Sequence, residues 1–275
     1  MIRRGLFAAG LVLAGAVALA FLLLPLAAIF VRVSPGELFG QLGNAVATDA
    51  IVVTLKTSAI AQALILIVGT PAAYLLSRRF RGRELVITLV ELPLVLPPAV
   101  AGIALLATFG RLGLLGGTLD ALGVGVSFTQ AAVVIAVAYV ASPFYLRQAI
   151  ASFESLDRSL LDASRTLGAG PARTFVRIAL PLASSGLAAG AALSFARGIG
   201  EFGATIMFAG SLQGVTQTLS LAIFHEFDLD FDVALALGAL LVIVSAVILL
   251  AAKLIPAWTR STSTSLFPFA RFGSS

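Results

Sequence analysis

The sequence predicts an all-α integral membrane protein, with six transmembrane helices and a long loop between spans 4 and 5. Three observations carry that prediction. Hydrophobic residues make up 59% of the 275 positions and charged residues 11%, with a mean hydropathy of +1.06. A soluble domain carries about 25% charged residues and cannot hide this much apolar surface from water. The apolar residues fall into six stretches of roughly the 20 residues needed to cross a hydrocarbon core of about 30 Å. Finally, the basic residues gather in alternate gaps between those stretches. This composition excludes a soluble enzyme and a disordered chain. With no Cys and one His (His225), the chain has no thiol chemistry, disulfide framework or His cluster.

The elements follow in order. Gly5 to Val31 carries no charge. It follows Arg3 and Arg4 as a signal peptide would, but it exceeds an h-region of about 7–15 residues and no small-residue cleavage site closes it, so it is expected to remain as the first span. Ile51 to Ser77 is interrupted only by Lys56. Leu85 to Gly110 holds Glu91, near one end, and Pro93, Pro97 and Pro98, which should kink it because each removes a helical hydrogen bond. Phe128 to Leu146 is uncharged, Leu182 to Gly210 carries Arg197 and Glu201, and Val233 to Ala252 is uncharged.

Orientation follows from the bases. One side collects Arg3 and Arg4; Arg78, Arg79, Arg81 and Arg83; Arg147, Arg158, Arg165, Arg173 and Arg177; and Lys253, Arg260 and Arg271. The other side has Arg32 and Arg111, with Glu37, Asp49, Asp120, Glu226, Asp228, Asp230 and Asp232. An even number of spans with both termini in the cytoplasm satisfies every loop, which places the chain as a multi-pass protein of the inner (plasma) membrane. The +5 net charge therefore reflects the bilayer and not a nucleic acid. Residues 1–45 form the N-terminal end, first span and external loop, 46–256 the core of spans 2–6, and 257–275 a basic tail expected to be poorly ordered from Thr259. No internal repeat is evident, and no GxxxxGK[ST] phosphate cradle occurs, so nucleotide is not bound in the P-loop manner.

The loop from Arg147 to Pro181 is too long for a plain connector. Leu156, Leu160, Leu161 and Leu167 give it a helical apolar stripe, with Asp157, Arg158, Asp162 and Arg165 opposite. Gly168 and Gly170 are natural helix stops, and Pro171 suits the first turn of a second helix. Two readings stand side by side: an amphipathic helix resting on lipid, and a docking knob for a cytosolic partner.

Asp162-Ala163-Ser164, then Gly168, then Ile178-Ala179-Leu180-Pro181 resembles the loop motif of ABC-importer permeases, Glu-Ala-Ala-x3-Gly-x9-Ile-x-Leu-Pro. The spacing holds throughout; Asp162 stands for Glu and Ser164 for the second Ala. A second block, Phe195 to Gly210, resembles the molybdate/sulfate/tungstate group. Ala204-Thr205-Ile206 after the Gly-Glu-Phe-Gly core is most like molybdate permeases, as are Thr216 to Leu219 and Leu92 to Pro98, while Ser211 departs from the Asn often found there. The resemblance covers residues 46 to 256. It implies a homodimer whose coupling-helix loops (Asp162, Ala163, Ser164, Gly168, Ile178, Leu180, Pro181) dock on a cytoplasmic ABC ATPase dimer. It also implies an external oxyanion-binding protein, and ATP bound by the partner subunit with no cofactor on this chain.

Candidates for the translocation path come from intramembrane charge and helix breakers. Arg197 and Glu201, four residues apart, must face protein or water, since charge is costly in lipid. They read either as a self-neutralising structural pair or as groups that meet a passing oxyanion. Gly198, Gly200 and Gly203 would let the helix break there. Pro97 and Pro98 mark a second irregular segment, tolerated at membrane depth only inside protein or beside a cavity. Gly186, Gly190, Ser194 and Gly198 form a small-residue stripe for close helix approach, either within one chain or along the path. The acidic residues Glu226, Asp228, Asp230 and Asp232 read as a solvated outer rim, with a binding-protein contact as the alternative. A sulfate/thiosulfate permease and an ion-coupled secondary transporter remain alternatives to molybdate import. No Ser/His/Asp set, metal cluster or opposed carboxylate pair lies in the spans, which argues against a membrane enzyme.

Overall fold

Long apolar runs become helices in this computed structural model, which describes residues 2–34, 36, 38, 40 and 43–263; side chains of residues 2–6, 8 and 252–263 lie outside the description, as do residues 264–275 altogether. Helix α1 is Ile2–Arg32, α2 Ala45–Leu76, α3 Arg83–Val95, α4 Pro98–Phe109 and α5 Gly116–Ala121. After these come α6 Gln130–Glu154, α7 Arg158–Thr166 and α8 Pro171–Ile199, the last with a π-helical turn at Phe175–Ala179. The chain continues with α9 Gly203–Ala209, α10 Leu219–Leu229 and α11 Phe231–Ser263. Within the described residues every regular element is a helix. Five of them, α1, α2, α6, α8 and α11, are long and apolar enough to span a membrane.

The third expected span, Leu85 to Gly110, is not one kinked helix. α3 and α4 meet at 113° across Leu96 and Pro97. Both linking residues precede a proline, which forbids the helical backbone to the residue before it; Leu96 and Pro97 accordingly sit extended, with ψ of 135° and 132°. The second proline then starts α4 at N1.

The fifth expected span, Leu182 to Gly210, also breaks. α8 begins at Pro171 and stops at Ile199, and Gly203–Ala209 is a separate short helix. The long loop is correspondingly shorter than the sequence suggested, because α6 runs on to Glu154 and α8 starts at the glycine turn itself. At the C-terminal end α11 stays helical through Ser263, so the tail expected to be poorly ordered from Thr259 is helix over its first residues.

α6 is the central helix. Its N-terminal half packs Val133 and Val137 with Ala204 and Phe208 of α9 and Leu105 of α4. Its C-terminal half packs Tyr145, Ala149 and Phe153 with Ala73 and Tyr74 of α2 and Ala183 of α8. The small-residue stripe of α8 explains how closely these helices approach. A Cβ on Gly186 would collide with the Ser152 hydroxyl, one on Gly190 would lie 2.9 Å from Gln148 Cβ, and one on Gly198 2.9 Å from Val137 Cγ1. Of the two readings of that stripe, packing within one chain describes these three glycines.

Candidate coupling knob and translocation path

The knob is built from α7, the Gly168 turn and the start of α8. Asp157 caps α7 by accepting from the Ser159 amide at 2.9 Å, which holds its carboxyl below the ordinary carboxylate range. At the other end the Gly168 amide donates to Arg165 O and the Ala169 amide to Ser164 O. This is the paired Schellman pattern, and Gly168 adopts the left-handed φ of 82° it requires. Gly170, at φ −66°, needs no such freedom and caps α8 instead.

The sequence stripe divides into two faces. Leu156 and Leu161 pack inward on the Tyr74–Phe153–Phe175 aromatic cluster, whose ring centroids lie 4.8 to 6.2 Å apart. Leu160 and Leu167 point outward, 48% and 87% exposed. Asp162 and Ala163 share that outer surface, Asp162 pairing with Arg165 at 3.0 Å. Ser164 alone of the Asp-Ala-Ser triplet is buried, its hydroxyl 3.0 Å from that of buried Thr174. Ile178 lies in the π turn, and Leu180 and Pro181 follow it as α8 heads toward the membrane core. π turns are rare and often mark functional segments.

At the other end of α8 two helix breaks meet. Gly203, the first residue of α9, lies against Pro98, the first of α4: a Cβ at Gly203 would sit 2.7 Å from Pro98 Cβ. Gly102 makes the reciprocal approach one turn on, its virtual Cβ 2.6 Å from Ala204 O. Pro97, Pro98 and Gly203 thus come together, whereas Gly200 caps α8 with open space around it.

Glu201 lies just past the helix end and is 1% exposed. One carboxylate oxygen accepts from the Ala204 amide at 2.8 Å; the other is 2.7 Å from Arg197 Nη1, close but not aligned as a hydrogen bond. Arg197 keeps 29% of its side chain exposed. Base-before-acid is the weaker order for an ion pair within a helix, and this pair does not rely on it, because Glu201 is off the helix. The geometry gives Glu201 a structural role, capping α9 and balancing Arg197, and leaves Arg197 as the accessible member.

Two polar residues beside this junction escaped the sequence reading. Gln62, midway along α2, accepts a hydrogen bond from Ser194 at 3.0 Å while its buried amide nitrogen has no partner. Thr54 accepts from the Leu219 amide at 2.7 Å, so a side chain of the α2 span caps the first turn of the short helix α10. A glutamine inside an apolar span was the available signal; nothing in the sequence marks Thr54. Glu91 has Arg147 at 3.7 Å. In the acidic rim, Asp230 caps α11 through the Asp232 and Val233 amides, and among the described residues no three His, Cys, Asp or Glu side chains converge on a cation position. Glu37, counted with the acids of the less basic side, lies outside the described residues.

A family profile described as "Binding-protein-dependent transport system inner membrane component" matches residues 65–260. The chain belongs to that family. As a binding-protein-dependent permease it is a multi-pass membrane protein, and the resemblance read from the loop motif holds. It is 41% identical over 232 residues to the molybdenum transport system permease protein ModB of Mycobacterium tuberculosis, covering 84% of this chain and 88% of that one. It is 34% identical over 233 residues to the sulfate transport system permease protein CysT of Salmonella typhimurium, covering 83% and 84%. Among solved structures it matches a bacterial alginate ABC transporter crystallised with an alginate-bound periplasmic protein, at a TM-score of 0.75 and 17% identity over 91% of this chain and 94% of that one. That last likeness places the permease fold.

Proposed function

We propose that this chain is the permease subunit of an ATP-driven importer that carries molybdate into the cytoplasm. The observation that carries the reading is the 41% identity to a permease named for molybdenum transport, across most of both chains. The knob geometry supports the coupling part: a rigid, Schellman-capped turn presents exposed Ala163, Leu160 and Leu167 to a protein partner. In this reading the partner is a cytoplasmic ATPase dimer, the knob side is cytoplasmic, and the acidic rim faces an external oxyanion-binding protein. Both termini are cytoplasmic. ATP is bound and hydrolysed by the ATPase; its closure draws two knobs together and turns the cavity outward, and hydrolysis resets it.

The transporter is a homodimer in this reading. The outward face of α2 supports it: Val52, Leu55, Lys56, Ile60 and Leu64 form one exposed stripe. Lys56 lies near one end of its span, where its amine can reach interfacial water, and the apolar residues around it suit contact with a second copy. Arg197 and the Pro98–Gly203 junction belong to the translocation path.

The second reading is sulfate or thiosulfate import, favoured by the 34% identity to CysT. Proteoliposomes holding the chain with its cognate ATPase and binding protein test the mechanism. Radiolabelled molybdate should accumulate with ATP and not with an ion gradient alone; gradient-driven uptake without the ATPase would make the chain a secondary transporter.

A further inference from the structure

On the arginine-rich side of the molecule, beside the knob and sharing Asp162 with it, lies a cavity of about 620 Å³. Its walls come from the ends of α2 and α6, the link between α2 and α3, and α7. Five arginines line it, Arg78, Arg79, Arg83, Arg158 and Arg165, against two carboxylates, Glu154 and Asp162. Three of the five are engaged. Arg83 donates to Leu76 O at 2.7 Å and pairs with Glu154 and Glu84; Arg165 pairs with Asp162; Arg78 stacks on Tyr74, 4.6 Å from the ring centre. Arg79 and Arg158 have no ion pair among the described residues.

We infer that this cavity binds the phosphate of an anionic phospholipid headgroup. Paired guanidinium forks match phosphate oxygens. The floor is amphipathic: Tyr74, Phe153, Leu156 and Leu161 line the same space. Tyr74 and Phe153 lie in the last turns of two membrane helices, the depth at which aromatic residues mark the headgroup region. The chain next to the arginines continues into apolar surface, with Leu75, Phe80 and Leu85 exposed at 60%, 45% and 65%, where acyl chains can lie. Basic pockets between membrane helices on the cytoplasmic side hold anionic headgroups for the same reasons. The inference does not depend on which oxyanion is transported.

Native mass spectrometry of the delipidated full chain tests it. The chain is exposed to equal amounts of phosphatidylglycerol and phosphatidylcholine with matched acyl chains. One phosphatidylglycerol should be retained preferentially, and Arg79→Gln with Arg158→Gln should lower that preference by roughly 25-fold, about five-fold per arginine. Arg111→Gln, on the opposite face, should leave it unchanged. If the double variant unfolds, Arg79→Lys with Arg158→Lys keeps the charge and loses the forks, and should give an intermediate preference. Inorganic phosphate that binds the lipid-free chain and displaces the lipid would make the free anion the ligand of this same site. Equal retention of both lipids, or a preference indifferent to the variants, overturns the proposal. So does release of the lipid on addition of the cognate ATPase, which would assign the cavity to a protein–protein contact.

Discussion

Ser164 and Thr174 hold their hydroxyls 3.0 Å apart across the Gly168 turn, both out of solvent. Ser164 gives its own proton to Leu161 O at 2.8 Å, so Thr174 donates in the pair. The family motif has alanine at position 164; here the hydroxyl ties α7 to α8 and joins the knob to the membrane helix as one body. Ser164→Ala is expected to loosen that joint by about 1–2 kcal/mol, since it strands a buried hydroxyl. Thr174→Val should cost less, because Ser164 still donates to Leu161 O. The double variant should cost less than the two together, and amide exchange over residues 158–174 reads the difference. Strict additivity would mean that the hydroxyls do not interact.

Gly168 is constrained by backbone and not by space, for nothing lies within 4 Å of where a Cβ would stand. Gly168→Ala should therefore cost about 1–2 kcal/mol from the left-handed φ alone. Gly168→Asn should cost less, because asparagine tolerates that region. Gly168→Trp should match Ala in the isolated chain and be far worse in co-purification with the ATPase, because its bulk is felt only at the docked surface. Equal co-purification of Ala and Trp variants would show that the turn does not contact the partner.

Arg197 and Glu201 call for a paired experiment. Arg197→Ala leaves a 1% exposed carboxylate without its counter-ion, a loss of about 3–5 kcal/mol for a buried pair broken on one side. Lost transport in that variant alone would confuse folding with function. Arg197→Met with Glu201→Gln removes both charges and keeps an acceptor for the Ala204 amide. It should recover most of the thermal stability while transport stays at least about tenfold down, a barrier change of about 1.4 kcal/mol. Transport restored along with stability would assign the pair a purely structural role.

The helix-break junction separates two glycines that look alike in sequence. Gly203→Ala places a methyl 2.7 Å from Pro98 Cβ and should destabilise by about 1–3 kcal/mol, as overpacking does. Gly102→Ala should behave similarly. Gly200→Ala, with open space and a φ of −84°, should be tolerated in thermal melts and in uptake.

Local chemistry explains how far the sequence could be read. The Leu-Pro-Pro run announces a break at Leu96, because the pre-proline restriction is local, but the 113° turn depends on Gly102 and Gly203 meeting residues distant in the chain. Gly198, Gly200 and Gly203 announce a break beside Arg197 and Glu201, but only the fold shows that it falls at Ile199 and that Glu201 serves the next helix. Gly168 was legible because a left-handed C-cap needs little beyond its own residues. The Ser164–Thr174 bond and the Thr54 cap on α10 were not, since polar residues in such spans take their meaning from a partner on another helix.

Molybdenum uptake tests the central claim most directly. Cells lacking their own molybdate permease would carry this chain with its cognate ATPase and binding protein, and be given trace molybdate under a large excess of sulfate. The account predicts molybdenum accumulation that sulfate leaves intact and that loss of the ATPase abolishes. Accumulation suppressed by sulfate, or persisting without the ATPase, would contradict it.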